Sequence, residues 1–597
     1  MLIQRIDLWD VDVPKVMEAI AIYLVCFIIG FRVYHTYSGV IRYSSFIDLL
    51  KITKASIMGG IMSVLASFVI SKYLIYYPIA AIVLGTLAAT ALMWLVRVFV
   101  KLIYDVSVIN SQKRIKVFIY GVREGGIALA KSIRSDENSP FILSGFISDR
   151  KIMVGKRLMG VSIFANDEDI VEKMKKHGAT ALLVSPLKNE EIRNNHDMVD
   201  RMINAGIKIH MMSGSTEWDG KSEVGYTQLR EVSVEDLLPR EIIEVDMDAV
   251  GDLIRGKRIL ITGAAGSIGS EMVRQIAPYQ PAELMLIDQA ETPLHDIRLM
   301  MAKDFFGVKS HTIVADIANE RRMEEIFSSF RPEYVFHAAA YKHVPMMEDN
   351  PSECIENNVN GTRVIADLAV KYGTRKFVMV STDKAVNPTN VMGCSKRLCE
   401  IYVQSLDKAI KDGNVKGETK FVTTRFGNVL GSNGSVIPLF KRQIKAGGPV
   451  TVTHPDIIRY FMLIPEACKL VLEAGTMGNG GEIYVFDMGK PVKIVDLARR
   501  MITLSGAKDI EIKFTGLRDG EKLYEEVLNE KETTLPTFHE KIKIAKVREY
   551  EYVTVNQQMI DLIHLAISSD DMTIVRAMKD LVPEFKSQHS KYEALDK

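Results

Sequence analysis

At 597 residues the chain is too long for one hydrophobic core, and about 150 residues per domain gives roughly four units. Its 75 Lys and Arg against 74 Asp and Glu exclude a globally polybasic nucleic-acid binder, and 47% hydrophobic content excludes general disorder. Five cysteines without a C-x-x-C pair argue against a disulfide framework or a structural zinc site, and no metal site is expected.

Apolar residues concentrate at the start, in Val16–Phe31, Ile52–Ile70 and Ile75–Val100. A bilayer span needs about 20 such residues. The second and third stretches are long enough. The first is short and contains Glu18. Asp7, Asp10 and Asp12 make the start acidic, unlike a cleaved signal peptide. Arg32, Arg42, Lys51 and Lys54 follow the first stretch, and Arg97, Lys101, Lys113, Arg114 and Lys116 the third. Only Lys72 lies between the second and third, so the basic regions belong on the cytoplasmic side. Residues 1–110 are therefore expected to be a transmembrane region in contact with a lipid bilayer, with everything after it cytoplasmic.

Residues 111–240 alternate strand and helix patterns, with strands predicted at Lys116–Tyr120, Phe141–Ser148, Ala181–Ser185 and Ile207–Met211. This is the pattern of a small doubly wound unit. Gly121, Gly125 and Gly126 follow the first strand and Asp149 ends the second. The G-x-x-x-G-G spacing departs from the dinucleotide fingerprint, and a structural turn is preferred over a nucleotide site.

Residues 241–545 carry most of the chemistry, and 546–597 read as a polar helical tail. The strand Arg258–Thr262 runs into Gly263, Gly266, Ser267, Ile268 and Gly269, and a helix follows. Such a turn brings backbone close to a pyrophosphate and aims a helix N-terminus at it. A second strand, Glu283–Ile287, ends at Asp288, whose carboxylate suits ribose hydroxyls and disfavours a 2′-phosphate, pointing to NAD over NADP. A third strand, His311–Ala315, ends in Asp316 and Ile317, placed for the adenine. A fourth, Tyr334–His337, ends in Ala338, Ala339 and Ala340, small enough for close approach. Four strand ends thus converge on one ligand.

The strand Phe377–Val380 leads into Ser381, Thr382, Asp383 and Lys384; Met392 and Lys396 follow, four residues apart on one helix face. Here the chain resembles the extended short-chain dehydrogenase/reductases. Within them it is most similar to the long membrane-bound UDP-N-acetylglucosamine 4,6-dehydratases of bacterial polysaccharide and protein-glycosylation pathways. The resemblance covers essentially the whole chain. It implies an α/β fold: N-terminal transmembrane helices, then two Rossmann-like doubly wound parallel-sheet domains, the second an extended dehydrogenase/reductase domain. It also implies NAD as cofactor, UDP-N-acetylglucosamine as substrate, a multi-pass place in the inner membrane, and a homodimer or higher oligomer. Relatives of this length carry four membrane segments, where three are legible here.

The family's catalytic trio falls on Thr382, Asp383 and Lys384, with Lys rather than Glu third, as in enzymes acting on UDP-N-acetylglucosamine. The superfamily's Tyr-x-x-x-Lys falls on Met392 and Lys396, so the tyrosine is missing, a departure shared with the long membrane-bound dehydratases. The resemblance implies that Thr382 bonds the C4 oxygen and that Asp383 is the acid for the leaving C6 hydroxyl. Lys384 would take the C5 proton, and Lys396 would hold the nicotinamide ribose. A lysine base must be neutral, so its pKa has to be lowered by burial or a nearby cation. Substrate contacts are expected from Lys342, His343, Asn428, Arg459, Arg518 and Glu521. Asn358, in Asn-Val-Asn-Gly-Thr, reads as a helix-start element, and its helix and the one carrying Lys396 commonly form a dimer face in the superfamily. A 4-epimerase, a C5-inverting dehydratase and a non-catalytic nucleotide sensor remain as alternatives.

Overall fold

The computed structural model describes residues 13–36, 46–70, 79–111, 114–136, 138–212, 225–232, 236, 245–507, 509–526 and 533–596. Asp7, Asp10, Asp12, Arg42, Lys72 and Lys113 lie outside them. The chain forms two compact units, 1–116 with 136–142, and 117–135 with 143–597.

In the first unit, helices run Val13–Val33, Phe46–Ile70 and Ile79–Ser111. Two hold stretches long and apolar enough to cross a bilayer, Asp48–Val69 and Ile79–Val100. The first helix has only the shorter apolar stretch Ile20–Val33. Glycines bring the first two helices into contact. A Cβ on Gly30 would meet the Ala55 carbonyl at 2.6 Å, and one on Gly59 the Phe27 ring at 3.0 Å. Leu84, Leu87, Leu92, Leu95 and Phe99 of the third helix stand exposed, an apolar surface that calls for a non-aqueous neighbour.

The second unit contains most of a seven-stranded sheet and all of a nine-stranded one. The former comprises β1 (Ile115–Tyr120), β2 (Phe141–Ser148), β3 (Arg157–Leu158), β4 (Val161–Ala165), β5 (Ala181–Val184), β6 (Lys208–Met212) and β7 (Leu229–Glu231). Its order is β3-β4-β2-β1-β5-β6-β7, with β1, β5 and β6 parallel.

The nine-stranded sheet comprises β8 (Arg258–Thr262), β9 (Glu283–Asp288), β10 (Ser310–Val314), β11 (Tyr334–His337), β12 (Lys376–Thr382), β13 (Lys420–Phe426), β14 (Glu482–Phe486), β15 (Thr533–Pro536) and β16 (Ile542–Lys546). The order is β10-β9-β8-β11-β12-β13-β14-β16-β15. The first seven are parallel and the last two antiparallel. Near-continuous apolar runs such as RILIT and ELMLI suit strands covered on both faces. Two buried clusters, around Phe327, Phe377 and Tyr402 and around Val273, Val422 and Phe486, provide that cover. The order reverses between β8 and β11, which opens a crevice at the strands' carboxyl ends.

Residues 546–597 do not form a polar tail. Helices Tyr552–Ser568 and Asp571–Leu581 bury Val555, Met559, Leu562, Ile563, Ile574, Val575 and Met578 in the same core as helix Val391–Lys411. Tyr552 packs on Tyr402 with ring centroids 6.0 Å apart, and Glu584 accepts from Arg397 at 3.2 Å. The helix carrying Lys396 is buried from Val391 to Ala409, so the face expected to pair with a second copy is covered by the chain's own C-terminal residues. Deleting 547–597 strips more than seven core side chains, each worth about 1.5–3 kcal/mol, against a total stability of about 5–15 kcal/mol. The truncated protein should therefore aggregate on size-exclusion chromatography. A monodisperse truncation with unchanged thermal midpoint would contradict this packing.

Candidate active site

The crevice holds a cavity of about 610 Å³. Its floor is the turn after β8. Gly263 adopts φ 66°, and a Cβ there would meet the backbone nitrogen of Ala339 at 2.7 Å. A Cβ on Gly269 would lie 2.0 Å from the Gly263 carbonyl, so helix Ser267–Ile276 presses directly on the turn. Ser267 Oγ accepts from Asn433 N at 3.1 Å, which ties the turn to the loop opposite. Gly269→Ala should abolish cofactor binding, checked by cofactor retention through purification; full retention would contradict the close packing.

Gly263, Gly266, Ser267, Ile268, Gly269, Ala338, Ala340, Lys342, His343, Thr382, Lys384, Met392, Lys396, Asn428, Arg459, Arg518 and Glu521 all line this cavity. Asp288, Asp316, Ile317, Ala339 and Asp383 are not among its lining residues. The Asp288 oxygens accept from Ala265 N and Ala290 N, both at 2.9 Å, so the carboxylate braces the glycine turn. Asp316 Oδ1 accepts from Ala318 N at 2.9 Å. The Ile317 side chain is buried beneath Gly361, where a Cβ would meet it at 2.5 Å, leaving its backbone as the part available to a ligand.

At the end of β12, Asp383 is 1% exposed. Its Oδ1 accepts from the Thr382 hydroxyl at 2.8 Å and from Lys384 Nζ at 3.0 Å, while its buried Oδ2 has no hydrogen-bond partner among the described residues. Gly427 makes room for that oxygen, since a Cβ there would stand 3.0 Å away. Lys384 Nζ also donates to Asn428 Oδ1 at 3.0 Å and lies 3.5 Å from Glu525. Asn428, expected as a substrate contact, thus orients the lysine.

The expected lowering of the Lys384 pKa is not what this state shows. Burial opposes the charge, but Asp383 and Glu525 outweigh burial and Arg459, and the pKa is raised. Lys342 goes the other way, pushed down by burial, and so does His343, by burial and by Lys342.

Arg459 and Arg518 divide differently from expectation. Arg459 Nη1 donates to the carbonyls of Ile458 at 2.7 Å and Leu523 at 3.2 Å, and Nη2 to that of Lys522 at 2.8 Å. Its Nη2 is 3.4 Å from Glu521 and its Nε 3.6 Å from Glu525. Its fork is spent on holding the 521–525 segment. Arg518 is exposed in the cavity wall and has no ion pair among the described residues. Glu521 Oε2 accepts from Arg518 N at 3.1 Å. The C-terminal segment supports this loop, with Gly520 N donating to the Gln588 carbonyl at 2.7 Å.

Met392 and Lys396 sit in the first turns of helix Val391–Lys411, capped by Asn390, whose Oδ1 accepts from Gly393 N at 2.7 Å. Asn358 lies in a π-helical turn and clamps its surroundings. It accepts from Tyr341 N at 2.8 Å, and donates to Tyr341 O at 3.1 Å and Ser395 Oγ at 2.9 Å. That fixes the strand end leading to Lys342. Sequence reasoning missed Glu525 and His337. The His337 ring bridges Thr262 at 2.8 Å and Thr362 at 3.0 Å, and burial beside Lys396 pushes its pKa down to about 3.

Residues 259–547 match the family model described as "Polysaccharide biosynthesis protein". The chain is 39% identical over 548 residues to "Capsular polysaccharide biosynthesis protein CapD" of Staphylococcus aureus, covering 89% of this chain and 88% of that protein. It is 36% identical over 281 residues to a "UDP-glucose 4-epimerase" of Rickettsia rickettsii, covering 46% of this chain and 79% of that one. Among solved structures it resembles Pen from Bacillus thuringiensis, with 28% identity, 52% of this chain and 99% of that chain covered, and a TM-score of 0.45. With the CapD match running nearly end to end, the chain belongs to the polysaccharide biosynthesis protein family.

Proposed function

We propose that the protein is an NAD-dependent nucleotide-sugar 4,6-dehydratase. It converts UDP-N-acetylglucosamine to the 4-keto-6-deoxy sugar nucleotide, with C5 configuration retained, for surface polysaccharide or protein glycosylation. The observation that carries this reading is a single cavity joining the glycine turn to Thr382, Lys384, Met392 and Lys396, with Asp383 just beneath.

The turn fits a dinucleotide, because bare backbone at 263 and 269 leaves room where any side chain would collide. Gly263, Gly266, Ser267, Ile268 and Gly269 would hold the pyrophosphate, Asp288 the adenosine ribose, and Lys396 the nicotinamide ribose. Bound NAD supplies the hydride acceptor for sugar C4 and the donor for C6. Arg518 would take the diphosphate, since a guanidinium gives paired charge-assisted bonds.

Lys384 and Asp383 share one proton across 3.0 Å. Asp383 and Glu525 beside Lys384 favour its charged form and hold that proton on the lysine until substrate binds. Substrate binding expels water and disfavours the charged pair. Moving the proton to Asp383 then creates the neutral base and protonated acid that the chemistry needs. Lys384 takes the C5 proton, Asp383 gives its proton to the C6 hydroxyl leaving as water, and Lys384 returns a proton to C5. The proton released from the C4 hydroxyl leaves first, to solvent, and solvent restores the one Asp383 gives up. The Thr382 hydroxyl, 2.8 Å from Asp383 Oδ1, would bond the C4 oxygen. No step uses Met392 as acid or base.

The apolar spans Asp48–Val69 and Ile79–Val100 support a place in the cytoplasmic membrane, with the cleft on the cytoplasmic side, where nucleotide sugars and NAD are found. The test is incubation of the detergent-solubilised protein with UDP-N-acetylglucosamine in heavy water. Loss of one water, with deuterium at C5 and the D-configuration, is the expected product. Inverted C5 would keep the reaction class and overturn the stereochemistry. An isomer of unchanged mass would favour an epimerase, the reading suggested by the Rickettsia relative. Bound NAD with no turnover of any nucleotide sugar would favour sensing.

A further inference from the structure

We infer that the seven-stranded sheet carries a second ligand site, shaped for the ribose-phosphate unit of a nucleotide, at the carboxyl ends of β1, β2 and β5. A cavity of about 240 Å³ opens there, lined by Gly121, Arg123, Asp149, Arg150, Ser185 and Lys188 among others. Its position is the first observation. β1 lies between β2 and β5, so the strand order reverses at β1, the place where open α/β sheets bind ligands.

The turn is the second. Gly121 adopts φ 113°, and a Cβ on Gly126 would lie 2.0 Å from the Gly121 carbonyl. Gly269 stands in that same relation to Gly263 in the large cleft. The chain has therefore built the same close approach of helix to strand end twice, despite different glycine spacing. Asp149 follows β2 as Asp288 ends β9.

The third observation is an unused polar group. Ser185 is 2% exposed, lines the cavity, and begins the turn Pro186–Lys188 without its hydroxyl capping it. No hydrogen bond to that hydroxyl is formed among the described residues.

The charges fit an anion with a diol. Arg123, Arg150 and Lys188 face Asp149 and Glu191 around the cavity, one positive charge in excess. Lys188 Nζ is 2.8 Å from Asp149 and also pairs with Glu191; the Tyr120 hydroxyl, 2.9 Å from Asp149 and 3.1 Å from Glu191, has one proton to donate between them. Lys188 is thus held between the two carboxylates, and no ion pair to Arg123 or Arg150 is formed among the described residues. Burial opposes ionisation of Asp149, but Lys188, Asn166 and Tyr120 hold its pKa below the ordinary value, keeping it a hydrogen-bond acceptor for ribose hydroxyls. A phosphate would draw Lys188 away and leave Asp149 to the diol. Glu124 in the first turn of helix Glu124–Ser135 opposes an anion on the helix axis, which places the phosphate on the Lys188 side. The volume is below the roughly 300–1,000 Å³ of drug-sized sites and well below the main cleft, so one nucleotide unit fits and a dinucleotide does not. That unit could be a free mononucleotide or the nucleotide half of a sugar nucleotide.

Hydrogen–deuterium exchange on the full-length protein separates this site from the catalytic cleft. The probes are UMP, AMP and UDP-N-acetylglucosamine at several millimolar, where even a site of about 1 mM affinity fills. Saturable protection of 117–126, 144–151 and 181–191 is expected, with half-saturation raised about tenfold or more, one lost charge-assisted contact, in Asp149→Asn and Lys188→Ala. Protection by UMP or AMP identifies a mononucleotide site; protection by UDP-N-acetylglucosamine alone identifies a sugar-nucleotide site. The inference is overturned if these segments do not respond to any probe while 259–270 does. It is equally overturned if their protection is undiminished in both variants, because the effect would then be relayed from the cleft.

Discussion

If Lys384 is the base of the proposed dehydration, Lys384→Ala should lower turnover by about 10²–10⁴-fold, the usual contribution of a general base, while the protein still retains NAD. The variant removes the amine that bonds both Asp383 and Asn428 in the cavity wall, and leaves the glycine turn untouched. Loss of charge alone could explain a weaker effect, because Asp383 and Glu525 would then be buried without their cation. Lys384→Arg separates the two causes. Arginine keeps the ion pairs but stays protonated, so it cannot serve as base. Both variants should lose solvent deuterium incorporation at C5. An arginine variant with near wild-type incorporation would remove Lys384 from the base role and direct attention to Lys342, whose pKa burial lowers on the other wall.

The strands around the cleft were legible because parallel strands covered on both faces read as short apolar runs closed by glycine or a carboxylate. Arg258–Thr262 runs into Gly263, and Glu283–Asp288 ends on its carboxylate. The glycine turn was legible for a related reason, since only bare backbone tolerates a 2.0 Å approach. What escaped depends on contacts distant in sequence. The C-terminal residues read as a polar tail, yet Val555, Met559, Leu562 and Ile563 repeat at helical spacing on one buried face. Arg459 read as a phosphate fork because nothing local shows that the carbonyls of Leu523 and Lys522 would claim it. Glu525 was passed over in a run of charged residues. Only the fold brings it to Lys384 and reverses the expected direction of the lysine's pKa.

Glu400→Gln should destabilise the protein by about 3–5 kcal/mol, although Glu400 is outside the cavity wall. Glu400 and Arg425 are both fully buried. The carboxylate accepts from Arg425 Nε at 2.8 Å, Arg425 Nη2 at 2.6 Å, Arg397 Nη1 at 3.0 Å and the Ser381 hydroxyl at 2.8 Å. Neutralising it leaves two buried guanidinium groups facing each other without the charge between them. Burial opposes the ionised form of Glu400, yet the two arginines and Ser381 bring its pKa down to about 2. A depressed carboxylate contributes stability that is complete above its unfolded value, near 4.5, and is lost as pH falls towards 2. At neutral pH the thermal midpoint of Glu400→Gln should therefore fall by about 10 °C, taking about 2–4 °C per kcal/mol. Between pH 4.5 and 2 the gap to wild type should narrow, because wild type loses there what the variant already lacks. Replacing the pair together, Glu400→Leu with Arg425→Met, should recover much of the loss, since the penalty lies in the orphaned charge rather than in the missing bridge. Ser381 precedes Thr382, Asp383 and Lys384, so the double variant also tests positioning. If its stability returns but turnover does not, the buried triad serves to hold Thr382 and Asp383 in register with the cleft.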